Sequence, residues 1–284
     1  MNNSQKEFII RPAGKVFSLN LKDIWQYRDL VTMFIRRDIV TLYKQTILGP
    51  VWYFIQPVLT TAIFMFVFGG LAGIPTDGLP QPLFYLAGIT LFNYFSETLT
   101  KTADTFIVNQ HIFGKVWFPR LIVPVSITLT GLIKMGIQLL VFIAVYVFYA
   151  LKGTSVSLNV FAFLFPVLLI LLAGLGLGFG ILISALTTKY RDLRFLITFG
   201  VQLWMYATPV IYPLSVMQGR FEKYQWLIQA NPLTSIVETF RYGFLGTGSF
   251  SWAGLAYSAG FALVICLTGV LVFNKVERSF MDVV

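Results

Sequence analysis

The sequence has few of the residues that build disulfides, metal sites and soluble surfaces. It contains one cysteine, Cys266, and one histidine, His111, among 284 residues. A single cysteine cannot form an intrachain disulfide, and one cysteine with one histidine cannot supply a Cys/His zinc site. Only 12% of the residues are charged whereas 57% are hydrophobic. This composition predicts an integral membrane protein rather than a soluble domain.

The motifs of nucleotide-dependent and metal-dependent enzymes are also missing. No GxxxxGK[ST] loop is present, so we expect no ATP hydrolysis by that route in this chain. No DxxD motif joins any of the twelve acidic residues, which argues against a membrane prenyltransferase. The glycines of AGLGLGFG fail the GxGxxG pattern at Phe179 and instead form two GxxxG pairs, Gly174 with Gly178 and Gly176 with Gly180. These pairs favour close helix packing, and we expect no catalytic residue, metal or cofactor in this chain.

A cleaved signal peptide and nucleic-acid binding are also disfavoured by the sequence. Residues 1–20 contain no apolar core of signal-peptide length, so we expect the apolar segments themselves to target the chain. The net charge of +9 would suit a nucleic-acid-binding protein. Basic residues that flank apolar runs are, however, explained by orientation in the bilayer and by anionic lipid. We therefore expect membrane lipid and not nucleic acid as a partner.

Six apolar runs are long enough to cross about 30 Å of hydrocarbon, which takes about 20 helical residues. They lie near 51–72, 82–103, 121–150, 159–186, 195–212 and 252–273. Sixteen lysines and arginines flank these runs on the side of the N terminus and four on the other side. Because cytoplasmic loops retain basic residues, both termini are expected in the cytoplasm. The predicted fold is all-α, with a cytoplasmic segment over 1–49 and a six-span domain over 50–284.

Two segments outside these runs are also apolar. Residues 22–46 carry apolar residues at steps of three and four, which favours an amphipathic interface helix; a helix packed on the rest of the protein is the alternative. The outer segment 213–251 predicts two half-length re-entrant helices that meet at Asn231 and Pro232. A small lid outside the membrane is the alternative for that segment.

Two ionisable residues fall inside the apolar runs. Glu97 lies in the second run and Lys134 in the third. Charged groups in hydrocarbon are costly and face protein or water. We expect these two either to pair with each other or to contact a substrate.

Five segments provide a family resemblance. They are RRDIVTLYKQTILGPVWYFIQP, NQHIFGKVWFPR, KYRDLR, TPVIYP and NPLTSIVETFRYGFLG, in that order. Together they resemble the membrane subunit of ABC exporters for lipid-linked polysaccharides, which handle O-antigen, capsule and teichoic acid. The resemblance implies a homodimer in the bacterial inner membrane and two copies of a cytoplasmic ATPase subunit that binds ATP and Mg. It also implies that an undecaprenyl-linked glycan passes between the two copies.

The resemblance implies functional surfaces as well. Segment 104–118 resembles the coupling helix that contacts the ATPase. For this contact, including the second cytoplasmic loop, the expected residues are Asp104, Asn109, His111, Phe113, Lys115, Arg191 and Asp192. For the substrate entrance at the interface helix they are Arg36, Arg37, Tyr43, Lys44, Gly49 and Trp52. For the outer gate they are Pro209, Tyr212, Asn231, Pro232 and Arg241.

Aromatic residues near the ends of the runs form a last set. Aromatic rings can contact the C–H faces of sugars without fixing their sequence, although aromatics at membrane boundaries are expected in any case. The candidate channel aromatics are Tyr53, Phe54, Phe92, Tyr94, Phe95, Trp204 and Tyr206.

The expected function is ATP-driven export of O-antigen. The alternatives left open are capsule or teichoic acid export and an ATP-independent flippase for lipid-linked sugars.

Overall fold

A computed structural model describes residues 21–44, 49, 51–116, 118–154, 156–188, 190, 192–217, 223 and 225–280. Over these ranges the chain forms helices and turns. The α-helices are α1 (Leu21–Gln26), α2 (Arg28–Lys44), α3 (Val51–Phe64), α4 (Gln81–Ala103), α5 (Thr105–Val108), α6 (Gln110–Phe113), α7 (Ile122–Leu151), α8 (Phe165–Thr187), α9 (Leu193–Tyr206), α10 (Gln225–Gln229), α11 (Pro232–Leu245) and α12 (Trp252–Phe280). A π-helical turn extends α3 over Met65–Leu71, and 3₁₀ turns cover Val160–Leu164 and Leu214–Val216.

Four helical stretches of the described chain are long and apolar enough to cross a membrane. They are Val51–Leu71, Ile122–Leu151, Val160–Thr187 and Trp252–Val276. These stretches correspond to the first, third, fourth and sixth predicted runs. The described part of the chain is therefore all-helical, and several of its helices are apolar enough for a membrane protein.

The second and fifth runs fold differently from the other four. Helix α4 has 23 residues, most of them buried, and packs against α3, α7, α8, α9 and α11. Its Glu97 and Lys101 make it more polar than a helix that faces lipid. Helix α9 has only 14 residues, so it rises about 21 Å. It ends at Tyr206, before Pro209 removes a backbone donor.

Glycines on α8 set how closely its neighbours approach. A Cβ on Gly180 would lie 2.5 Å from Cβ of Thr102 on α4, and a Cβ on Gly178 would lie 2.8 Å from Cγ2 of Ile265 on α12. The two GxxxG pairs thus serve two different neighbours. The Gly176 and Gly180 pair faces α4, whereas the Gly174 and Gly178 pair faces α12. This confirms the prediction that these glycines allow close packing.

Helix α2 packs on the protein through one apolar edge. Val31 and Phe34 are buried there, and the Phe34 ring lies 5.8 Å from the Phe118 ring. Trp25 and Met33 are exposed. The helices in the region of the predicted 22–46 segment cover residues 21–44, with a break at Tyr27. The buried edge formed by Val31 and Phe34 fits the alternative of a helix packed on the rest of the protein.

Candidate functional site

The coupling segment folds as two short helices, α5 and α6, and Gly114 ends the second. Asn109 and Phe113 are buried and face inward. Asn109 donates a hydrogen bond from Nδ2 to the carbonyl oxygen of Thr105 at 2.9 Å. These two residues therefore hold the segment together and are not placed to contact a partner.

His111 and Lys115, by contrast, are exposed. Two apolar neighbours share this exposure, since Val108 is 56% exposed and Val116 59%. We call Val108, His111, Lys115 and Val116 the coupling face. The sequence prediction missed both valines because periodicity alone does not show that a valine faces outward.

Asp104 links the coupling segment to α9. Its Oδ2 lies 2.9 Å from Nη2 of Arg194. Burial raises the pKa of Asp104 above its ordinary value, and the charge of Arg194 opposes that rise only in part. Asp192 is exposed, and Arg191 lies outside the described residues. Arg194 was missed because the family motif ends at that residue without marking its partner.

The predicted entrance residues surround the end of α2 and the start of α3. Arg36, Arg37 and Lys44 are exposed, and Nη2 of Arg37 lies 2.8 Å from Oδ1 of Asp38. Gly49 has a φ of 43°, a left-handed conformation that favours glycine, and this turn precedes α3. Trp52 is half exposed one turn further on, and the side chain of Tyr43 lies outside the described residues.

The two intramembrane charges pair, as one of the two expectations had it. Lys134 of α7 donates a hydrogen bond from Nζ to Oε1 of Glu97 on α4. Lys101, one turn from Glu97, donates to the same oxygen. The sequence analysis did not predict that Lys101 joins this pair, although Glu97 and Lys101 stand at i and i+4, a spacing that favours ion pairs.

The candidate channel aromatics divide into two groups. Phe92, Tyr94 and Phe95 are buried inside the protomer, so in this conformation they stabilise the helix bundle and contact no open path. Their burial follows from the central place of α4, which run length did not predict. Residues that reach the surface are Tyr53, Phe54 and Tyr206, and Trp204 is partly buried.

The outer-gate residues come together at the turn after α9. Asn231 caps α11 by accepting a hydrogen bond from the backbone N–H of Leu233 at 3.0 Å. The same Oδ1 accepts from Nε1 of Trp204 at 3.2 Å, and Nδ2 donates to the carbonyl oxygen of Ala207 and the hydroxyl of Thr208. Asn231 therefore joins the end of α9 to the start of α11, where Pro232 takes the first helical position.

Arg241 makes a second connection to the same turn. It is 1% exposed, and it donates to the carbonyl oxygen of Pro209 at 2.5 Å and to that of Val210 at 2.9 Å. Its guanidinium lies 3.7 Å from the centre of the Phe84 ring on α4. Gly88 makes this possible, because a Cβ there would meet Val210 at 3.0 Å. Tyr212, the last predicted gate residue, donates from its hydroxyl to the carbonyl oxygen of Tyr206.

Glu238 completes this cluster and was missed by the sequence analysis. Its Oε1 lies 3.3 Å from Nη1 of Arg241, and its Oε2 accepts from the backbone N–H of Ser249. The signal was present, since an acid and an arginine three residues apart share a helix face. In the resulting arrangement, α9 is joined at one end to the coupling segment and at the other to the outer helices.

The amino-acid sequence matches a known family over most of its length. The family model for the ABC-2 type transporter matches residues 29–245. The chain belongs to the ABC-2 type transporter family. It is thus the membrane-embedded subunit of a transporter, and that family implies an ATPase partner.

Relatives within the family carry a more specific name. An O-antigen export system permease protein RfbA from Klebsiella pneumoniae is 28% identical over 257 residues, which cover 90% of this chain and 95% of the relative. A protein of the same name from Myxococcus xanthus is 24% identical over 222 residues, 78% of this chain and 82% of the relative. This ABC-2 subunit is therefore similar over most of its length to O-antigen export permeases, as the sequence motifs predicted.

Proposed function

We propose that this chain is the membrane subunit of an ATP-driven exporter that moves an undecaprenyl-linked polysaccharide out of the cytoplasm. O-antigen is the polysaccharide we put forward, and the outer side of the inner membrane is the destination. The observation that carries the proposal is the similarity to O-antigen export permeases over 90% of the chain. The exposed coupling face gives a physical place for the ATPase, which would bind ATP and Mg.

A second copy of the chain would complete the pathway. Helix α9 exposes half of its apolar side chains, and among its residues only Val201 is buried. At about 21 Å it is also shorter than the roughly 30 Å of hydrocarbon. A second copy packed on α9 and on the exposed side of α3 would cover this surface. The exposed rings of Phe54 and Tyr206 would then border the space between the two copies.

The proposed topology has six crossings with both termini in the cytoplasm. Helix α4 has the length to cross, since 23 residues rise about 34 Å, and of its polar side chains only Lys101 is exposed. Helix α11 is almost wholly buried against α4, α8 and α12. That burial supports a re-entrant pair formed by α10 and α11 in the outer leaflet, because backbone at such depth must be packed in protein.

Coupling would run along α9. Movement of the ATPase against the coupling face would shift α5 and α6, and the Asp104 and Arg194 ion pair would pass that shift to α9. The contacts of α9 with Asn231 and Arg241 would pass it on to the outer helices. A helix with polar contacts at both ends suits this role. Because the rest of α9 is weakly packed, it can move as a unit.

The experiment tests the ATPase contact with matched lysine variants. Lys115 lies on the coupling face and Lys152 at the far end of α7, and both are exposed. Co-expression with a candidate ATPase subunit from the same organism, followed by affinity purification, measures how much ATPase is retained. Lys115→Glu should reduce the retained ATPase about tenfold, as loss of an interface hot spot does, and Lys152→Glu should leave it unchanged.

Export of surface polysaccharide is measured in the same strains. An ATPase subunit that cannot hydrolyse ATP should leave the glycan inside the cell. Unchanged surface glycan in that strain, or export that follows an ion gradient, would favour the ATP-independent flippase instead. Export of capsule or teichoic acid in place of O-antigen would correct the substrate and keep the transporter class.

A further inference from the structure

The Glu97 cluster joins helices α4 and α7 at one carboxylate oxygen. Nζ of Lys101 and Nζ of Lys134 both donate to Oε1 of Glu97. The Lys134 ammonium also lies 5.3 Å from the centre of the Tyr53 ring on α3. Side-chain exposure rises from 6% at Lys134 through 28% at Glu97 to 49% at Lys101. The cluster therefore runs from the interior of the bundle to its surface.

The charges of this cluster do not balance. Two ammonium groups and one carboxylate leave a net charge of +1. Within the described part of the chain, Glu97 is the carboxylate that forms ion pairs with these lysines. The next carboxylate along the chain, that of Asp104 directly after α4, is paired with Arg194. An uncompensated charge beside hydrocarbon is costly, so an anion at this position would be favoured.

The geometry suits a phosphate. Donors that share one acceptor oxygen lie within about 6 Å of each other, so both ammonium groups can reach the oxygens of a single phosphate. Each ammonium carries three donors, and the hydrogen bond to Glu97 uses one of them. Lys101, at the surface, would meet the anion first.

The position of the cluster also suits a lipid headgroup. Tyr53 is in the first turn of α3, next to the half-exposed Trp52 and close to the turn at Gly49. Lys101 is in the last turn of α4, directly before the coupling segment. The surface end of the cluster, at Lys101, therefore lies near the predicted entrance.

We propose that Lys101, Lys134 and Tyr53 form a binding site for the phosphate of a lipid headgroup, in which Glu97 partly neutralises the two ammonium groups until the phosphate binds. The inference rests on the proposed function for its substrate class and adds where on this chain the phosphate binds. A phosphate would interact with both ammonium groups, while Glu97 prevents their mutual repulsion in the empty site. The hydroxyl of Tyr53 supplies a further donor on the α3 side.

Lipid binding to the purified full chain tests the site. The chain is placed in phosphatidylcholine nanodiscs, and undecaprenyl phosphate and phosphatidylglycerol are titrated separately. Lys101→Met carries the test, because the Lys101 side chain is half exposed and its loss leaves the buried pair intact. It should weaken binding at least about tenfold, as loss of a hydrogen bond to a charged group does. Lys152→Met, an exposed lysine on the other side of the bundle, is the matched control and should bind as wild type does.

Glu97→Gln separates a binding role from a bracing role. This change raises the charge of the cluster from +1 to +2, so a phosphate site should bind the lipid at least as tightly as wild type. A cluster that only braces the helices should instead lose thermal stability and bind less. Thermal unfolding of every variant identifies any that fail to fold.

The two lipids distinguish the source of the phosphate. Weaker binding of both in Lys101→Met supports a general phosphate headgroup site, and weaker binding of undecaprenyl phosphate alone supports a substrate site. Wild-type binding of both lipids by folded Lys101→Met would overturn the proposal, as would weaker binding by folded Glu97→Gln. The assay needs neither ATPase nor export, so failure of the proposed function would leave its result unaffected.

Discussion

Replacing Arg241 with methionine should strongly destabilise the protein. The guanidinium is buried and donates to the carbonyl oxygens of Pro209 and Val210. It also pairs with the buried carboxylate of Glu238 at 3.3 Å. Methionine retains much of the apolar stem but removes every donor, so the two carbonyl oxygens and Oε1 of Glu238 would remain buried without these hydrogen bonds.

The expected loss follows from those acceptors. A buried carbonyl left unpaired costs about 1 kcal/mol and a buried carboxylate about 2 kcal/mol or more. The three together give about 4 kcal/mol, within the range of about 3–5 kcal/mol for breaking a buried ion pair. At roughly 2 °C per kcal/mol for a chain of this size, the unfolding midpoint should fall by about 8 °C.

Thermal unfolding in detergent measures this loss. Arg37→Met is the control, because Arg37 is an exposed arginine paired with its neighbour Asp38, and such pairs contribute about 1 kcal/mol or less. Arg241→Met with Glu238→Gln should recover part of the loss, since it removes the unpaired charge. A midpoint for Arg241→Met within about 2 °C of wild type would refute the role assigned to this network.

Three further predictions concern the helix contacts. Asp104→Asn should leave the unfolding midpoint at pH 7 equal to or above that of wild type and still reduce export, because it removes a charge that burial disfavours and also weakens the contact with Arg194. Because the folded-state pKa of Asp104 is raised, its protonated carboxyl stabilises the fold fully below the unfolded-state pKa, and this stabilisation is lost as pH rises through the folded-state pKa. The stability advantage of Asp104→Asn should therefore vanish in acid. Asn231→Ala should cost about 1–2 kcal/mol in thermal unfolding through loss of the α11 cap, whereas Asn159→Ala, at a 3₁₀ turn without a side-chain cap, should cost less. Gly180→Leu should prevent close packing of α8 on α4 and lower the yield of folded protein, whereas Gly136→Leu, where a Cβ meets nothing within 4 Å, should be tolerated; equal yields would contradict the packing role.

Local sequence rules predicted the features that depend on a few adjacent residues. Asn231 and Pro232 begin α11 and the GxxxG glycines pack closely, because both features follow from the backbone chemistry of those residues. The Glu97 and Lys134 pair followed from a general cost, since a charge in hydrocarbon needs a partner. The family itself was legible in five short motifs.

Features that depend on tertiary packing could not be predicted in the same way. Run length treated α4 as one span among six, whereas its place at the centre of the bundle buries Phe92, Tyr94 and Phe95. Asn109 and Phe113 were likewise predicted on a contact surface, although tertiary packing turns both side chains inward. The partners of Asp104 and Asn231 lie 90 and 27 residues away from them in sequence, beyond any local pattern.

Vesicle transport tests the central claim most directly. Inverted inner-membrane vesicles that contain this chain and its ATPase subunit expose the cytoplasmic leaflet. Undecaprenyl-linked O-antigen is added to this outward-facing leaflet. Hydrolysable ATP should move the glycan into the lumen, where an added glycosidase cannot reach it, and a non-hydrolysable analogue should not. Protection of the glycan without ATP, or in vesicles that lack this chain, would contradict the account.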